Sequence, residues 1–151
     1  MNAVNTVDQT FEIVVDYDQT LEQMIAAGRY DWVNSDITAT RFPVKGEGKK
    51  ELIGQLIHFN RAMSSEEVKK ELDTKGLRPA THEEALAFRA QRSEFQCDEF
   101  AVVAIGSFTK IHGSRNVMYI DAIELKRRLD LACLDSDWNG RCRFLAVANA
   151  K

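Results

Sequence analysis

The stretch GLRPATHEE, residues 76–84, carries three signals that divide the fold. Gly76 stands where a helix-ending residue in the left-handed conformation belongs. The pair Arg78-Pro79 favours an extended link. Thr81 and Glu84 have the spacing of a capping box, in which a hydroxyl and a carboxylate satisfy backbone N–H groups at a helix start. The stretch therefore predicts the end of one helix, a short link and the start of another helix.

The same capping spacing occurs at Thr20–Gln23 and at Ser64–Glu67, so the sequence predicts three short helices. Apolar runs and alternating patterns indicate strands at the following places: 11–17, 37–42, 52–59, 100–105, 117–120, 129–133 and 143–148. Helices and strands alternate early and strands cluster late, which predicts an α+β fold with a mainly antiparallel sheet of about five to six strands. Asn139-Gly140 is typical of a hairpin turn between the last two strands.

Length and composition predict one globular domain. The chain has 151 residues, of which 44% are hydrophobic and 28% charged. We expect a flexible leader over residues 1–10 and a single α+β domain over residues 11–151. The net charge of −3 argues against a nucleic-acid-binding protein that depends on bulk positive charge, and no apolar run is long enough for a membrane span.

The three cysteines are an odd number, which favours a reducing, cytoplasmic location. Cys133 and Cys142 could face each other if Asn139-Gly140 closes a hairpin, although buried free cysteines are also common. Cys97 has no neighbouring base in sequence that would favour a catalytic thiol. The histidines are widely spaced and have no partner at metal-ligand spacing, so no metal site and no cofactor are predicted.

One segment carries a catalytic hypothesis. The run VVDYDQTL, residues 14–21, is a hydrophobic strand followed by Asp-x-Asp-x-Thr-Leu. It resembles the first motif of the haloacid dehalogenase family of phosphotransferases. This resemblance implies a Mg²⁺-dependent phosphatase in which Asp16 is the nucleophile and Asp18 the general acid/base.

The alternative is that Asp16 and Asp18 are turn residues close to a helix start, where the helix dipole favours acidic side chains. The downstream partners that the phosphatase requires would be single residues here, drawn from the following set: Ser107, Lys110, Lys126, Asp135 and Asp137. The segment around 129–137 alternates like a half-exposed antiparallel strand. We therefore prefer the structural interpretation of Asp16 and Asp18.

The leading functional hypothesis is a non-catalytic domain that binds a protein partner. The irregular segment 29–50 contains Tyr30, Trp32 and Phe42, and aromatic side chains on loops are frequent binding hot spots. A second alternative is a nucleic-acid-associated protein that uses Lys110, Arg115 and the run 126–128. Aromatic residues do not interleave with these bases, so we consider nucleic acid the weaker partner.

Five phrases, taken together, resemble an uncharacterised family of small bacterial proteins of candidate-phylum type. They lie at 21–28, 30–37, 76–81, 103–107 and 143–147 and include the pattern GLRPAT…VAIGS…RFLAV. The resemblance covers residue 11 to the end and implies no activity, ligand or catalytic residue. The phrase Arg-Pro-Ala-Thr-x-Glu-Glu at 78–84 also resembles a helix start of the C-type-lectin-like fold, which is an alternative fold class.

Overall fold

The computed structural model describes residues 10–93 and 100–149. The predicted leader lies almost entirely outside the described residues, as does Cys97, while Thr10 already belongs to the first strand. The eleven elements, in chain order, are β1 (Thr10–Asp16), α1 (Leu21–Ala27), β2 (Trp32–Val33), β3 (Lys49–His58), α2 (Ser65–Thr74), β4 (Leu77–Pro79), α3 (His82–Gln91), β5 (Val102–Ile111), β6 (Ser114–Ile123), β7 (Lys126–Cys133) and β8 (Arg143–Ala148).

The three helices begin where the capping spacing predicts. Thr20, Ser64 and Thr81 are the N-cap residues, and each forms a complete capping box with the residue three positions later. After α2, Gly76 has a φ of +74°, a left-handed conformation that glycine adopts without strain. The predictions for these helix starts and for Gly76 are confirmed because they depend on local backbone chemistry.

The predicted sheet is wrong in strand number and in pairing. Eight strands form one mixed sheet in the order β1-β3-β8-β5-β6-β7-β2, with β4 paired to β8. The pairs β5–β8 and β2–β7 are parallel, and the remaining pairs are antiparallel. The chain is an α+β protein, but neither a mainly antiparallel sheet of five to six strands nor its C-type-lectin-like alternative describes it.

The sheet is covered on both faces, which explains the continuous apolar runs of its inner strands. Leu56 and Leu145 are cross-strand partners and belong to the core under α1 and α3. Their neighbours Ile57 and Phe144 point to the opposite face and belong to the second core, which contains Val68 and other residues of α2. A strand buried on both faces needs apolar residues at successive positions, so its sequence does not alternate.

Two local predictions fail because they depend on distant partners. Residues 37–42 form turns and not a strand, although Ile37 and Phe42 are buried. Asn139-Gly140 does not close a hairpin, because β5 and β6 lie between β7 and β8 in the sheet. The segment between these strands instead crosses the sheet, and Trp138 forms an isolated bridge with Met63.

The start of α3 sits directly against β5. The N–H of Gly106 donates to the Ala80 carbonyl oxygen at 2.8 Å. A Cβ atom at Gly106 would lie 2.4 Å from that same oxygen, which is closer than any real contact. Glycine is therefore required here by close backbone approach, and it fixes the position of α3 over the sheet.

Candidate functional site

The three aromatic residues of the predicted contact segment do not lie on one surface. Trp32 is 46% exposed, Tyr30 is half-buried, and Phe42 is only 1% exposed. Phe42 packs in the core under α1 and α3, with its ring centroid 5.3 Å from that of His82. Trp32 is thus the member of the three that can contact a partner, and Phe42 serves the core.

The Trp32 indole lies beside an ion pair on the neighbouring strands. Arg128 is its partner in register on β7, and Asp121 is the partner of Arg128 on β6. The guanidinium carbon of Arg128 lies 6.0 Å from the centroid of the indole ring. Two hydrogen bonds of 2.9 and 2.8 Å join Arg128 to the Asp121 carboxylate. The bidentate pair fixes the plane of the cation that faces the indole.

The turn between β6 and β7 adds apolar surface beside this pair. Ile123 is two residues after Asp121 on β6 and is exposed. Leu125, in the turn, is 81% exposed and has a φ of +68°, next to Glu124 with a φ of +52°. Left-handed φ at a leucine costs free energy, and two-residue hairpin turns usually place glycine there. We call the set Trp32, Asp121, Ile123, Leu125 and Arg128 the Trp32 face.

A second aromatic residue near the Trp32 face is held by a carboxylate. The Tyr119 hydroxyl donates to Asp130 at 3.0 Å, and Asn34 donates its amide N–H to the same carboxylate at 2.9 Å. Burial, and then the hydrogen bond to Asp130, raise the pKa of Tyr119 to about 12. The phenol therefore keeps its proton at neutral pH, and the Asn34–Asp130 bond helps attach the β2 segment to β7.

Asp16 and Asp18 close a turn at the end of β1. The Asp16 carboxylate accepts the N–H of Asp18 at 3.0 Å, and the Asp18 carboxylate accepts the N–H of Gly48 at 3.1 Å. Among the described residues, β1 is an edge strand, and the strand paired with it there is the antiparallel β3. The buried parallel strand that the phosphatase motif requires is therefore not the setting of Asp16.

The later acidic residues follow a strand that is not a neighbour of β1. Four strands lie between β1 and β7 in the sheet order. Asp135, which follows β7, forms an ion pair with Arg115. Ser107 accepts the N–H of His82 at 3.0 Å and so belongs to the start of α3. Within residues 10–93 and 100–149, no three potential ligands group around a metal position.

Sequence reasoning missed a buried polar cluster at the start of α3. His82, Glu83 and Glu84 are all buried, and Arg78 donates to Glu84 with bonds of 3.0 and 2.7 Å. Burial lowers the pKa of His82, and the neighbouring Glu83 opposes this shift. Glu83 accepts the N–H of Lys45 at 2.9 Å. The consecutive acids Glu83 and Glu84 were visible in the sequence. Their burial was not, because it depends on the distant segment around Pro43 and Lys45.

The cluster attaches the irregular segment to α3. The Nε2 of His82 lies 3.1 Å from the Pro43 carbonyl oxygen, so Nε2 carries the proton of that hydrogen bond. The groove beside it has a volume of about 440 Å³ and is bordered by Tyr17, Arg41 and Phe108, among others. His82 and Glu83 form hydrogen bonds with backbone groups of the irregular segment, so their role is structural.

The basic residues proposed for nucleic-acid binding are largely engaged within the protein. Arg115 pairs with Asp135, and Arg128 pairs with Asp121. Arg127 donates to the Gly28 carbonyl oxygen at 2.9 Å. Charges that are already paired add little to phosphate binding, so the geometry gives this alternative no support.

Cys133 and Cys142 are free thiols, the first half-buried and the second buried. Burial raises the pKa of the Cys142 thiol, which makes it less reactive. Cys133 ends β7 and Cys142 directly precedes β8. Because β5 and β6 lie between β7 and β8, the hairpin that would have brought the two thiols together does not form.

No known protein family, no curated protein and no solved structure gives a significant match to this chain. The resemblance to the small bacterial family therefore stays a prediction. In the part of the chain that the structure describes, every helix is too short or too polar to cross a membrane.

Proposed function

We propose that this protein is a non-catalytic binding domain that contacts a protein partner through the Trp32 face. The observation that carries the proposal is the exposed indole of Trp32, which is supported by the Arg128–Asp121 pair. Tryptophan and arginine are the residues most often found at binding hot spots. Tryptophan supplies a large, rigid contact area at a low cost in conformational entropy, because its side chain has two rotatable bonds.

The turn between β6 and β7 is a second reason to place the contact at the Trp32 face. Leu125 is exposed and has a strained backbone conformation, and Ile123 beside it is exposed as well. Leu125 in particular gains little from burial in the isolated chain, since it is 81% exposed. Backbone strain is often retained at functional sites, where a contact compensates for its cost.

The partner should present an apolar surface. Arg128 and Asp121 neutralise each other, so the central charges of the Trp32 face have no net attraction for a charged partner. Binding should therefore depend weakly on salt. A nucleic acid would show a steep loss of affinity with added salt, which separates the two alternatives.

A titration with the purified partner tests the proposal. The partner is captured with the immobilised chain, identified by mass spectrometry, produced separately and titrated by calorimetry against the wild type and two variants. Trp32→Ala should weaken binding by at least about tenfold, or about 1.4 kcal/mol, with a nearly unchanged melting temperature. Ile53→Ala is the matched control, because Ile53 is 45% exposed on β3, far from Trp32.

Equal losses in both variants would contradict the proposal, because the contact would then lie elsewhere or be non-specific. A large fall in the melting temperature of Trp32→Ala would assign Trp32 to stability instead. We further infer a cytoplasmic location, because a reducing compartment keeps thiols such as Cys133 and Cys142 free.

A further inference from the structure

A cavity distinct from the Trp32 face lies between β1, α1 and α3. Its volume is about 330 Å³, at the lower end of the range for small-molecule sites. Its walls are mainly apolar and come from the following residues: Val15, Met24, Ala27, Leu86, Ala87 and Ala90. A cavity of this size and lining suits a short aliphatic group.

Opposite charges lie together at one end of the cavity. Asp16 and Lys49 are register partners on β1 and β3, and both line the cavity. No ion pair joins Lys49 to a carboxylate anywhere in residues 10–93 and 100–149. One oxygen of Asp16 accepts the N–H of Asp18, and its other oxygen accepts no hydrogen bond from these described residues.

Two further polar groups border the same space. Glu83 lines the cavity, and one of its oxygens accepts the N–H of Lys45. Gln19 also lines the cavity and is half-buried. The carboxylates of Asp16 and Glu83 favour a cationic group near Asp16. The ammonium group of Lys49 favours an anionic group beside it.

We propose that this cavity binds a small zwitterion with an aliphatic side chain, the chemical class of a free apolar amino acid. The ligand's ammonium group pairs with Asp16, its carboxylate pairs with Lys49, and its side chain lies among the apolar walls. A phosphate or other dianion would meet two carboxylates with one lysine and would be repelled. A purely apolar molecule would leave Asp16 and Lys49 desolvated without a new partner, which costs free energy.

Three probes with nearly the same carbon skeleton test the charge pattern. L-leucine carries both charges, isopentylamine lacks the carboxylate, and 4-methylpentanoate lacks the ammonium group. Each is titrated into the ¹⁵N-labelled chain, and amide shifts of Ala27, Ala87 and Ala90 are followed by NMR. We expect saturable shifts with leucine, and at least about tenfold weaker binding for each singly charged probe, since tenfold corresponds to one lost charge-assisted contact.

Variants locate the contact. Lys49→Ala should weaken leucine binding by at least about tenfold and leave isopentylamine binding unchanged. Lys50→Ala is the matched control, because Lys50 is the next residue but lies over the Tyr17 ring and not in the cavity. Ala90→Leu should abolish binding by filling the cavity. If that variant fails to fold, the comparison of Lys49→Ala with Lys50→Ala decides alone.

Three results would overturn the proposal. They are no saturable shift of the cavity residues up to about 10 mM leucine, equal affinity for all three probes, and leucine binding that Lys49→Ala leaves intact. None of these results bears on the Trp32 face, which lies on other strands and has its own test.

Discussion

The two edges of the sheet are finished in different ways. At the β1 edge, the Gln91 side chain at the end of α3 binds both backbone groups of Val14, with bonds of 2.9 and 2.6 Å. Arg92 donates to the Glu12 carbonyl oxygen beside it. At the other edge, β2 pairs with β7 over two residues, and Trp32 remains exposed. An edge strand with open backbone groups invites pairing with other chains.

At the β1 edge, the Gln91 and Arg92 side chains occupy backbone groups of Val14 and Glu12 that an added strand would need, which disfavours pairing with other chains there. The β7 edge is closed by a short strand that presents a tryptophan. The partner binding that we propose would then be confined to the Trp32 face by the way in which each edge is covered.

Weakening the packing of α3 against β1 should have the largest effect on the stability of the β1 edge relative to the β7 edge. Phe88 is completely buried and packs against Phe11 of β1, with ring centroids 5.3 Å apart. Phe88→Ala should lower the free energy of unfolding by about 3 to 5 kcal/mol, because it leaves a cavity between α3 and β1. Urea unfolding measures the loss. Hydrogen exchange should accelerate at β1 amides more than at β7 amides, and uniform acceleration at both edges would contradict a separate covering of β1 by α3.

Acid should destabilise the protein through His82 at the start of α3. Burial lowers the pKa of His82, so below pH about 6.5 the unfolded chain binds a proton that the folded chain does not. The free energy of unfolding should then fall as the pH drops through this range, by at most about 1.4 kcal/mol per pH unit. The fall ends once the pH passes below the lowered pKa of the folded state.

His82→Asn supplies the control for the pH effect. It removes the titrating group, so the slope of stability between pH 7 and pH 5, measured by urea unfolding, should become flatter. An identical slope in the variant and the wild type would assign the acid sensitivity to other groups.

Removing the Gln91 hydrogen bonds from the β1 edge should have a smaller effect on the free energy of unfolding. Gln91→Ala removes two hydrogen bonds to Val14, and we expect a loss of about 0.5 to 1 kcal/mol because the freed groups can reach water. Sedimentation velocity should also show more self-association than in the wild type. Gln55→Ala on β3 is the control, since the Gln55 side chain makes no hydrogen bond to other described residues. Equal self-association in both variants would mean that Gln91 does not protect the edge.

Relieving the strained turn should have the smallest effect on stability, and in the opposite direction. Leu125→Gly places glycine at a φ of +68° and should raise the free energy of unfolding by about 0.5 to 1 kcal/mol. The same change removes exposed apolar surface from the Trp32 face, so partner binding should weaken. Thermal unfolding and a binding titration report the two quantities, and stronger partner binding would exclude Leu125 from the contact.

Features that depend on neighbouring residues were predictable from the sequence. The helix starts at Thr20, Ser64 and Thr81 follow from hydroxyl and carboxylate groups three residues apart. The inner strands β3 and β5 follow from apolar runs that only a doubly covered strand needs. In these cases the physical cause and its consequence lie within one segment of the chain.

Features that depend on distant partners were not predictable in this way. Asn139-Gly140 has the sequence of a hairpin turn, but β8 pairs with β3 and β5 instead of β7. Trp32 and Phe42 look alike as aromatic residues of one irregular segment, but Phe42 is buried in the core against His82 of α3 and other distant residues. The hydrogen bonds between the Gln91 side chain and Val14 join residues 77 positions apart, so no local sequence pattern predicts them.

Hydrogen exchange with and without the purified partner locates the contact on the sheet. We expect slower exchange at Trp32, at Val33 and across the turn at 123–126, with unchanged exchange along β1. Slower exchange along β1 and around Gln91, with no change near Trp32, would contradict this expectation.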